Sequence, residues 1–500
     1  MDCFSITSGN HQGMIALINY KYILMGSVFK SMMNKTKLVA LVMLVMCLGV
    51  VNVASAANVT TQPNGGTWYD TNNNIVNCHA TSYIRVGDKY YMFGEKRVDS
   101  TNIFHSFVCY SSTNLSDWTF EGTVLTADDV SSDGRIATRA KVIYNDATGK
   151  YVMYFKFKNA DGSNRTYGIA TCNTVNGHYT FQGRDYPSGG DFGDGSLFKD
   201  DDNKAYLVYS YLNASNVREL RIDQLTSDYL DVSHNVKTFT YNDLGSKREA
   251  PNIFKTNGYY YIITSGVSGW QPNQAQFMKS TSLSGGWSGL MDFCDSSITY
   301  DSQGSDVMVV EGSQQTTFIF VSDRWNWVKY ENGTLLHTPI QFNGSDIYIE
   351  YMKDFSIDAS TGTWSAGLND WWKYIKNEEN NVKLFGDESG PAATLGDGIW
   401  TGEGVQWSLA HVPEEPGYYY IDNNRIGMRL SVVNDNVVFV ESKKYKEAQK
   451  WQVIDAGNGY YYILSKSADK KLRAKDSTTL ELYSKSATGA KVKWKIIDVN

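Results

Sequence analysis

Proline is scarce in this chain, at 8 of 500 residues against 43 glycines, and cysteine is scarcer still at 6. Four cysteines, Cys78, Cys109, Cys172 and Cys294, follow residue 57, and none of them belongs to a Cys-x-x-Cys pair. With 7 histidines and no His/Cys cluster, neither zinc nor another metal is expected, and no cofactor is expected. Structural thiols are the expected state of the four. Positive charge is also in deficit: 46 Lys and Arg against 53 Asp and Glu leave a net charge of −7. That balance argues against nucleic acid or an acidic membrane surface as a partner. No long amphipathic helical pattern stands out after residue 57.

Long apolar runs are missing too, with one exception. Lys35-Thr36-Lys37 precede the run Leu38 to Val51, and Ala54-Ser55-Ala56 follow it before Ala57. A basic start, a short apolar stretch and a small-x-small site read as a secretory signal peptide with cleavage near Ala56, on a chain starting at Met32 or Met33. The run is short for a membrane span. Residues 1–56 are therefore set aside as upstream segment and leader, and the mature chain is expected outside the cell, in the periplasm or at the cell surface.

Aromatic residues are plentiful: 34 Tyr and 13 Trp in a chain that is 14% aromatic. They suit a β-rich core, and they equally suit stacking on carbohydrate. A length of 500 residues implies two or three domains with ample core. An all-β protein is expected, acting as a monomer.

Five passages repeat one pattern, a polar residue leading into strand, turn and strand. The first runs from His79 through Gly87-Asp88-Lys89 to Glu95. The second runs from Thr138-Arg139 into Tyr151-Val152-Met153-Tyr154, and the third from Asp194 into Tyr206-Leu207-Val208-Tyr209. The fourth runs from Glu249-Ala250-Pro251 into Tyr259-Tyr260-Tyr261, and the fifth from Gln303 into Phe318-Ile319-Phe320. Turn residues between two β-rich runs signal hairpins. The leading residues lie 59, 56, 55 and 54 apart, a period that suggests five propeller blades. Five inner strands would then aim His79, Thr138, Asp194, Glu249 and Gln303 at one end of one axis.

That set suggests glycoside hydrolysis. Breaking a glycosidic bond needs a protonated carboxyl for the leaving oxygen, and inverting enzymes position water on the opposite face. Glu249, before an apolar strand, is the natural acid, because burial would raise its pKa toward working pH. Asp194 would raise it further as a like charge. Asp200-Asp201-Asp202 read as a solvated hairpin turn.

The last 130 residues carry a second repeat. Trp407, Trp451 and Trp494 recur at spacings of 44 and 43. Each unit opens similarly, at Tyr374-Ile375, Tyr419-Tyr420-Ile421 and Tyr461-Tyr462-Ile463, and continues through Leu384, Leu430 or Leu472. Three such units resemble the ricin-type β-trefoil, and Gln449-Lys450-Trp451 matches that family's Gln-x-Trp signature. The three Trp are expected in the trefoil core. Lectin activity stays an open reading, since the family's sugar-contacting Asp is not clearly kept. The domains would be 58–365 and 370–500, joined by a polar stretch near Ser356 to Gly362.

The first domain resembles glycoside hydrolase family 43. The resemblance is carried by His79, Lys141-Val142-Ile143-Tyr144-Asn145, Asp194-x-x-Leu197-Phe198, Glu249-Ala250-Pro251-x-x-Phe254, Thr264-Ser265-Gly266 and Asp323-Arg324-Trp325. It covers residues 65 to about 345 and is strongest to the exo-β-1,3-galactanase and β-galactosidase branch. The resemblance implies a five-bladed propeller of inverting type, with Glu249 as general acid and Asp194 tuning it. The family at large has an Asp base in the first blade; here that place falls near Ala80, with no carboxylate. The branch holds its water with a Gln instead, which Gln303 matches. Where the branch has a sugar-contacting Glu, this chain has Thr138, followed by Arg139. Further substrate contacts are expected from His79, Glu95, Trp270, Asp323, Arg324 and Trp325, although core packing also suits Trp325 and a structural role suits His79. The expected reaction is removal of terminal β-galactosyl residues, β-1,3-linked, from galactan or arabinogalactan. An α-L-arabinofuranosidase, favoured by Thr138, and a non-catalytic sugar-binding protein are the competing readings.

Overall fold

A computed structural model describes residues 59–499, apart from 99–100, 102, 131–135, 160, 327–328, 368, 370, 387–391, 400, 413–414, 416, 425–427 and 442–446. The expected leader, with its cleavage site near Ala56, lies outside the described residues. Among the described residues no helix is long and apolar enough to cross a membrane.

Residues 79–339 form five antiparallel sheets in chain order, four of four strands and a last one of three. Their first strands are His79–Val86, Ile136–Asn145, Gly190–Lys199, Arg248–Thr256 and Gln303–Glu311. Each packs beside the next, and the last packs beside the first, so five blades close into a propeller. The register follows the hairpins read from the sequence: His79 opposes Glu95, and Glu249 opposes Ser265. Middle strands such as Ser106–Ser112 are buried on both faces, which is why they read as continuous apolar or small-residue runs. Outer strands such as Thr180–Asp185 are largely exposed and polar.

Apolar side chains fill the five gaps between blades. Phe93 and Phe107 meet Phe155 and Phe157 between blades one and two. Tyr154 and Tyr167 meet Phe192 and Tyr209 in the next gap, and Val208 and Ile222 meet Ile262 and Met278 in the one after. Phe254 and Tyr261 meet Phe318 and Phe320, and Val310 and Ile319 meet Met92 and Val108 to complete the circle. The Asp200 to Asp202 turn is not merely solvated. Asp200 and Asp201 hold Lys255 at 2.6 and 2.7 Å, and Asp200 also accepts the Tyr260 hydroxyl, clasping blade three to blade four.

The polar stretch after the propeller is docked against the blades. Phe355–Ile357 pairs with Val59–Thr60 on one side and Trp364–Ala366 on the other. Thr361 accepts main-chain hydrogen bonds from Gln314 and Gln315 in the turn of blade five. Trp371 and Trp372 then join the core between blades four and five, as do Ala410, Val412 and Tyr420.

The C-terminal strands form the β-trefoil. Its core holds Trp407, Trp451 and Trp494, each 0% exposed. Their indole N–H groups donate to the carbonyls of Leu384, Leu430 and Leu472 at 2.9, 2.9 and 3.0 Å. The repeated Trp and the repeated Leu are thus the two ends of one hydrogen bond, made three times.

Candidate active site

Each inner strand breaks register where it reaches the cavity end of the axis. The breaks fall at His79/Ser82, Thr138/Lys141, Phe192/Gly195, Glu249/Asn252 and Gly304/Asp306. Ala80, Arg139 and Ala250 take left-handed backbone there, with φ of 49°, 57° and 48°. Such conformations cost on the order of 1–3 kcal/mol for a residue with a Cβ. A bulge also re-aims the side chains around it. Of the five positions predicted from spacing, His79, Thr138 and Glu249 are the last paired residues before a bulge, Asp194 lies inside one, and Gln303 stands one residue ahead of one.

A cavity of about 210 Å³ opens at this end, lined by Thr138, Arg139, Asp194, Glu249 and Gln303 from four inner strands. Glu95, Arg97, Lys156 and Lys158 line it from second strands and their ends. Trp270 and Trp325 close one side. Trp270 is presented by a loop that Asn273 clamps: its side chain accepts the Gly266 N–H at 2.6 Å and donates to the Gly266 carbonyl at 2.9 Å. The Trp270 ring meets Trp325 edge-on at 5.0 Å and Tyr330 at 5.3 Å, and Arg97 lies over Trp270 and Tyr330.

Arg139 ties the site together. Its main-chain N–H donates to Glu95 at 2.8 Å, and its guanidinium donates to the Gly304 carbonyl at 3.1 Å and to Gln303 Oε1 at 2.9 Å. The Nε of Arg139 lies 3.5 Å from Asp194. Trp325 Nε1 also donates to Gln303 Oε1, at 3.0 Å. Two donors on one side fix the amide's orientation, so Gln303 turns its NH₂ toward Ser265 Oγ, 2.9 Å away. The second proton of that NH₂ has no partner among the described residues.

The two carboxyls are driven apart. Burial pushes the Glu249 acid up to about 7, and the charge of Asp194 adds to it. Burial alone would also raise Asp194, but Lys156 at 2.8 Å and Arg139 outweigh it and hold that carboxyl well below the usual range. One acid kept protonated near neutrality beside one kept ionised is the arrangement that separates donor from modulator.

Eight of the eleven predicted site residues line the cavity: Glu95, Thr138, Arg139, Asp194, Glu249, Trp270, Gln303 and Trp325. His79, Asp323 and Arg324 do not. His79 is 1% exposed and sealed by Gly333, where an added Cβ would fall 3.0 Å from Nδ1. Burial, then Arg97, lowers its pKa to about 3, so it is a neutral packing residue beneath the pocket. Asp323 is equally buried and accepts the Ala80 N–H at 2.9 Å, holding one bulge in place. Arg324 turns away, donating to the Tyr300 carbonyl and lying over Tyr351 and Trp371. Arg97, Lys156 and Lys158 were not expected. Period-two facing puts Lys156 and Lys158 on one face of their strand, the only advance signal they carried.

Comparison with known proteins agrees with this architecture. The family model described as Glycosyl hydrolases family 43 matches residues 73–351, and that described as Ricin-type beta-trefoil lectin domain-like matches residues 404–496. An exo-β-1,3-galactanase from Clostridium thermocellum is 29% identical, with 87% of this chain and 99% of that one covered and a TM-score of 0.57. A β-1,3-galactosidase of the same family, solved with galactodeoxynojirimycin, is 27% identical over 58% of this chain and 99% of that one, with a TM-score of 0.53. An exo-β-1,3-galactanase from Phanerochaete chrysosporium, solved with β-1,3-galactotriose, shares the fold at a TM-score of 0.60, with 24% identity over 88% of this chain and 99% of that one. No curated protein matches the chain.

Proposed function

This chain belongs to glycosyl hydrolases family 43 and is a glycosidase, and from that premise we propose that its pocket removes terminal β-galactosyl residues, β-1,3-linked, from galactan or arabinogalactan, with inversion. The observation that carries the reading is the carboxyl pair: Glu249 raised to about 7 beside an ionised Asp194.

In this mechanism Glu249 is the general acid. Its proton passes to the glycosidic oxygen as the bond to the anomeric carbon breaks. Asp194, pinned by Lys156 and Arg139, keeps the proton on Glu249 until then. Gln303 holds the attacking water through its remaining amide N–H, while Arg139 and Trp325 keep the amide from rotating. A neutral amide does not take a proton at these pH values, so Gln303 positions the water rather than acting as its base; the proton that the water sheds on adding to the anomeric carbon passes to solvent, and solvent returns one to Glu249. Trp270 and Trp325 offer aromatic faces and edges to the apolar face of the sugar. The trefoil would bind the polymer and raise local substrate concentration. Export by the leader at residues 35–56 would bring the enzyme to extracellular polysaccharide.

The test is sugar release by residues 57–500 and by Glu249→Gln, from β-1,3-galactan, arabinogalactan and arabinan. Galactose from the wild type alone, first appearing as the α-anomer, supports acid, sugar and stereochemistry together. Arabinose in its place would move the specificity, in keeping with Thr138 at the wall of the cavity. Binding without release from any polymer would sink the catalytic assignment of Glu249.

A further inference from the structure

Charge in the pocket does not balance. Arg97, Arg139, Lys156 and Lys158 line it against Glu95, Asp194 and Glu249. Arg97 pairs with Glu95, while Lys156 and Arg139 share Asp194 at 2.8 and 3.5 Å. Lys158 is left over: among the described residues its ammonium has no ion-pair or hydrogen-bond partner. It stands on the same strand face as Lys156 and opposite uncharged Ile136, as Lys156 stands opposite uncharged Thr138. Cations outnumber carboxylates around it: burial lowers its pKa first, Lys156, Arg165 and Arg97 lower it further, and Asp194, already held by Lys156 and Arg139, offsets them only in part. Arg165 spends its Nε on the Gly162 carbonyl at 3.0 Å and brings no carboxylate with it. A half-buried ammonium with no ion-pair partner of its own is costly to the empty site. A neutral sugar would leave that cost in place, whereas an anionic ligand would remove it.

We propose that the favoured substrate carries an anionic group, a uronate carboxylate or a sulfate ester, on the galactosyl segment that fills this cavity, with Lys158 as its counter-charge. The inference rests on the galactosidase reading above and specifies the class of galactan it acts on: an acidic one.

The experiment compares kcat/KM of the full chain on β-1,3-galactotriose that is unmodified, 6-O-sulfated, or 6-O-substituted with a glucuronosyl residue. At low salt an acidic arm is expected to exceed the neutral one by about tenfold, an advantage that shrinks with added salt. The larger acidic arm identifies carboxylate or sulfate. Lys158→Gln should erase most of the acidic-to-neutral ratio, and Lys158→Arg should restore it. Equal rates on all three arms, or a ratio untouched by Lys158→Gln, overturns the proposal. If none of the trioses is cleaved, the galactosidase reading has failed instead. Titrating Glu249→Gln with glucuronate, galactose 6-sulfate and galactose then decides the anion question alone: a Lys158-dependent preference for either anion sustains it, and equal affinities end it.

Discussion

The propeller and the trefoil use repetition in opposite ways. Around the propeller axis five corresponding places hold five different residues, His79, Thr138, Asp194, Glu249 and Gln303, each in or near a break in strand register. The trefoil repeats the residues themselves. Trp407, Trp451 and Trp494 make the same hydrogen bond to three leucine carbonyls. Lys383, Arg429 and Lys471 lie over Tyr374, Tyr420 and Tyr462 at 3.7, 3.8 and 3.6 Å. Sameness across repeats marks a packing task, since each unit must fill the same wedge. Difference at a fixed place marks division of labour, since five identical carboxylates aimed at one axis could not all stay ionised.

The comparison breaks most sharply at one residue of each kind. Glu249→Gln should lower kcat by about 10² to 10⁴, the usual contribution of a general acid, with the fold intact. Stability should even respond favourably at alkaline pH. The Glu249 pKa is raised from 4.5 to about 7 by folding, so the unfolded chain binds fewer protons between those values and wild-type stability falls as pH rises through them. The Gln variant should lack that slope, which thermal melts from pH 4 to 8 would show. Trp451→Ala should do the reverse. Emptying a fully buried indole costs roughly 3–5 kcal/mol, and its N–H bond to Leu430 goes with it. Melting should fall, while kcat per folded molecule on a soluble oligosaccharide stays as it was. Equal loss of kcat in both variants would mean the two regions are not separable.

How much of this was legible in advance follows the same division. The period of about 55 and the Trp spacings of 44 and 43 were plain, because hairpins and packing residues recur at fixed intervals. What those five places do locally was not, because a bulge with left-handed Ala80, Arg139 and Ala250 has no compositional mark. Asp323-Arg324-Trp325 shows the limit within three residues. Trp325 reaches the cavity and Asp323 goes beneath it, one lying just past the strand's end and the other inside it, while Arg324 leaves the site because neighbouring side chains on a strand point to opposite faces. Lys156 and Lys158 share one strand face, but that spacing alone does not tell which way the face points. A lysine near a strand end looks solvated until the blade's neighbours show which way it faces.

Asp194→Asn sharpens the comparison at intermediate size. Removing the carboxylate takes a like charge from Glu249 and frees Lys156 and Arg139 to act on it, and both changes lower the Glu249 pKa. The alkaline limb of the kcat profile, expected near 7 in the wild type, should move down by about one unit or more. Activity at pH 7 should fall by about tenfold per unit of that shift and recover in part on acidification. A loss of the same size at every pH would show that Asp194 positions substrate without tuning the acid.

The smallest effect belongs to Lys471, in the trefoil's second repeated motif. Lys471 is 6% exposed, lies 3.6 Å from the centre of the Tyr462 ring, and donates to the Ala487 carbonyl at 2.6 Å. The corresponding Arg429 has in addition a buried two-point pair with Asp422, at 2.8 and 3.0 Å, where the third repeat has Leu464. Lys471→Met keeps the stem's packing and removes the charge together with the hydrogen bond to the Ala487 carbonyl, so it should cost about 1–2 kcal/mol, the range of a desolvated cation over a ring. Arg429→Met should cost roughly 3–5 kcal/mol, because it strands the buried Asp422 carboxylate. The Asp422→Ala/Arg429→Met double variant should recover most of that difference and fall back toward the Lys471 value. If it does, the three cations share one ring-packing role and Asp422 is an addition to it; if Lys471→Met proves as damaging as Arg429→Met, the likeness between the repeats is only one of shape.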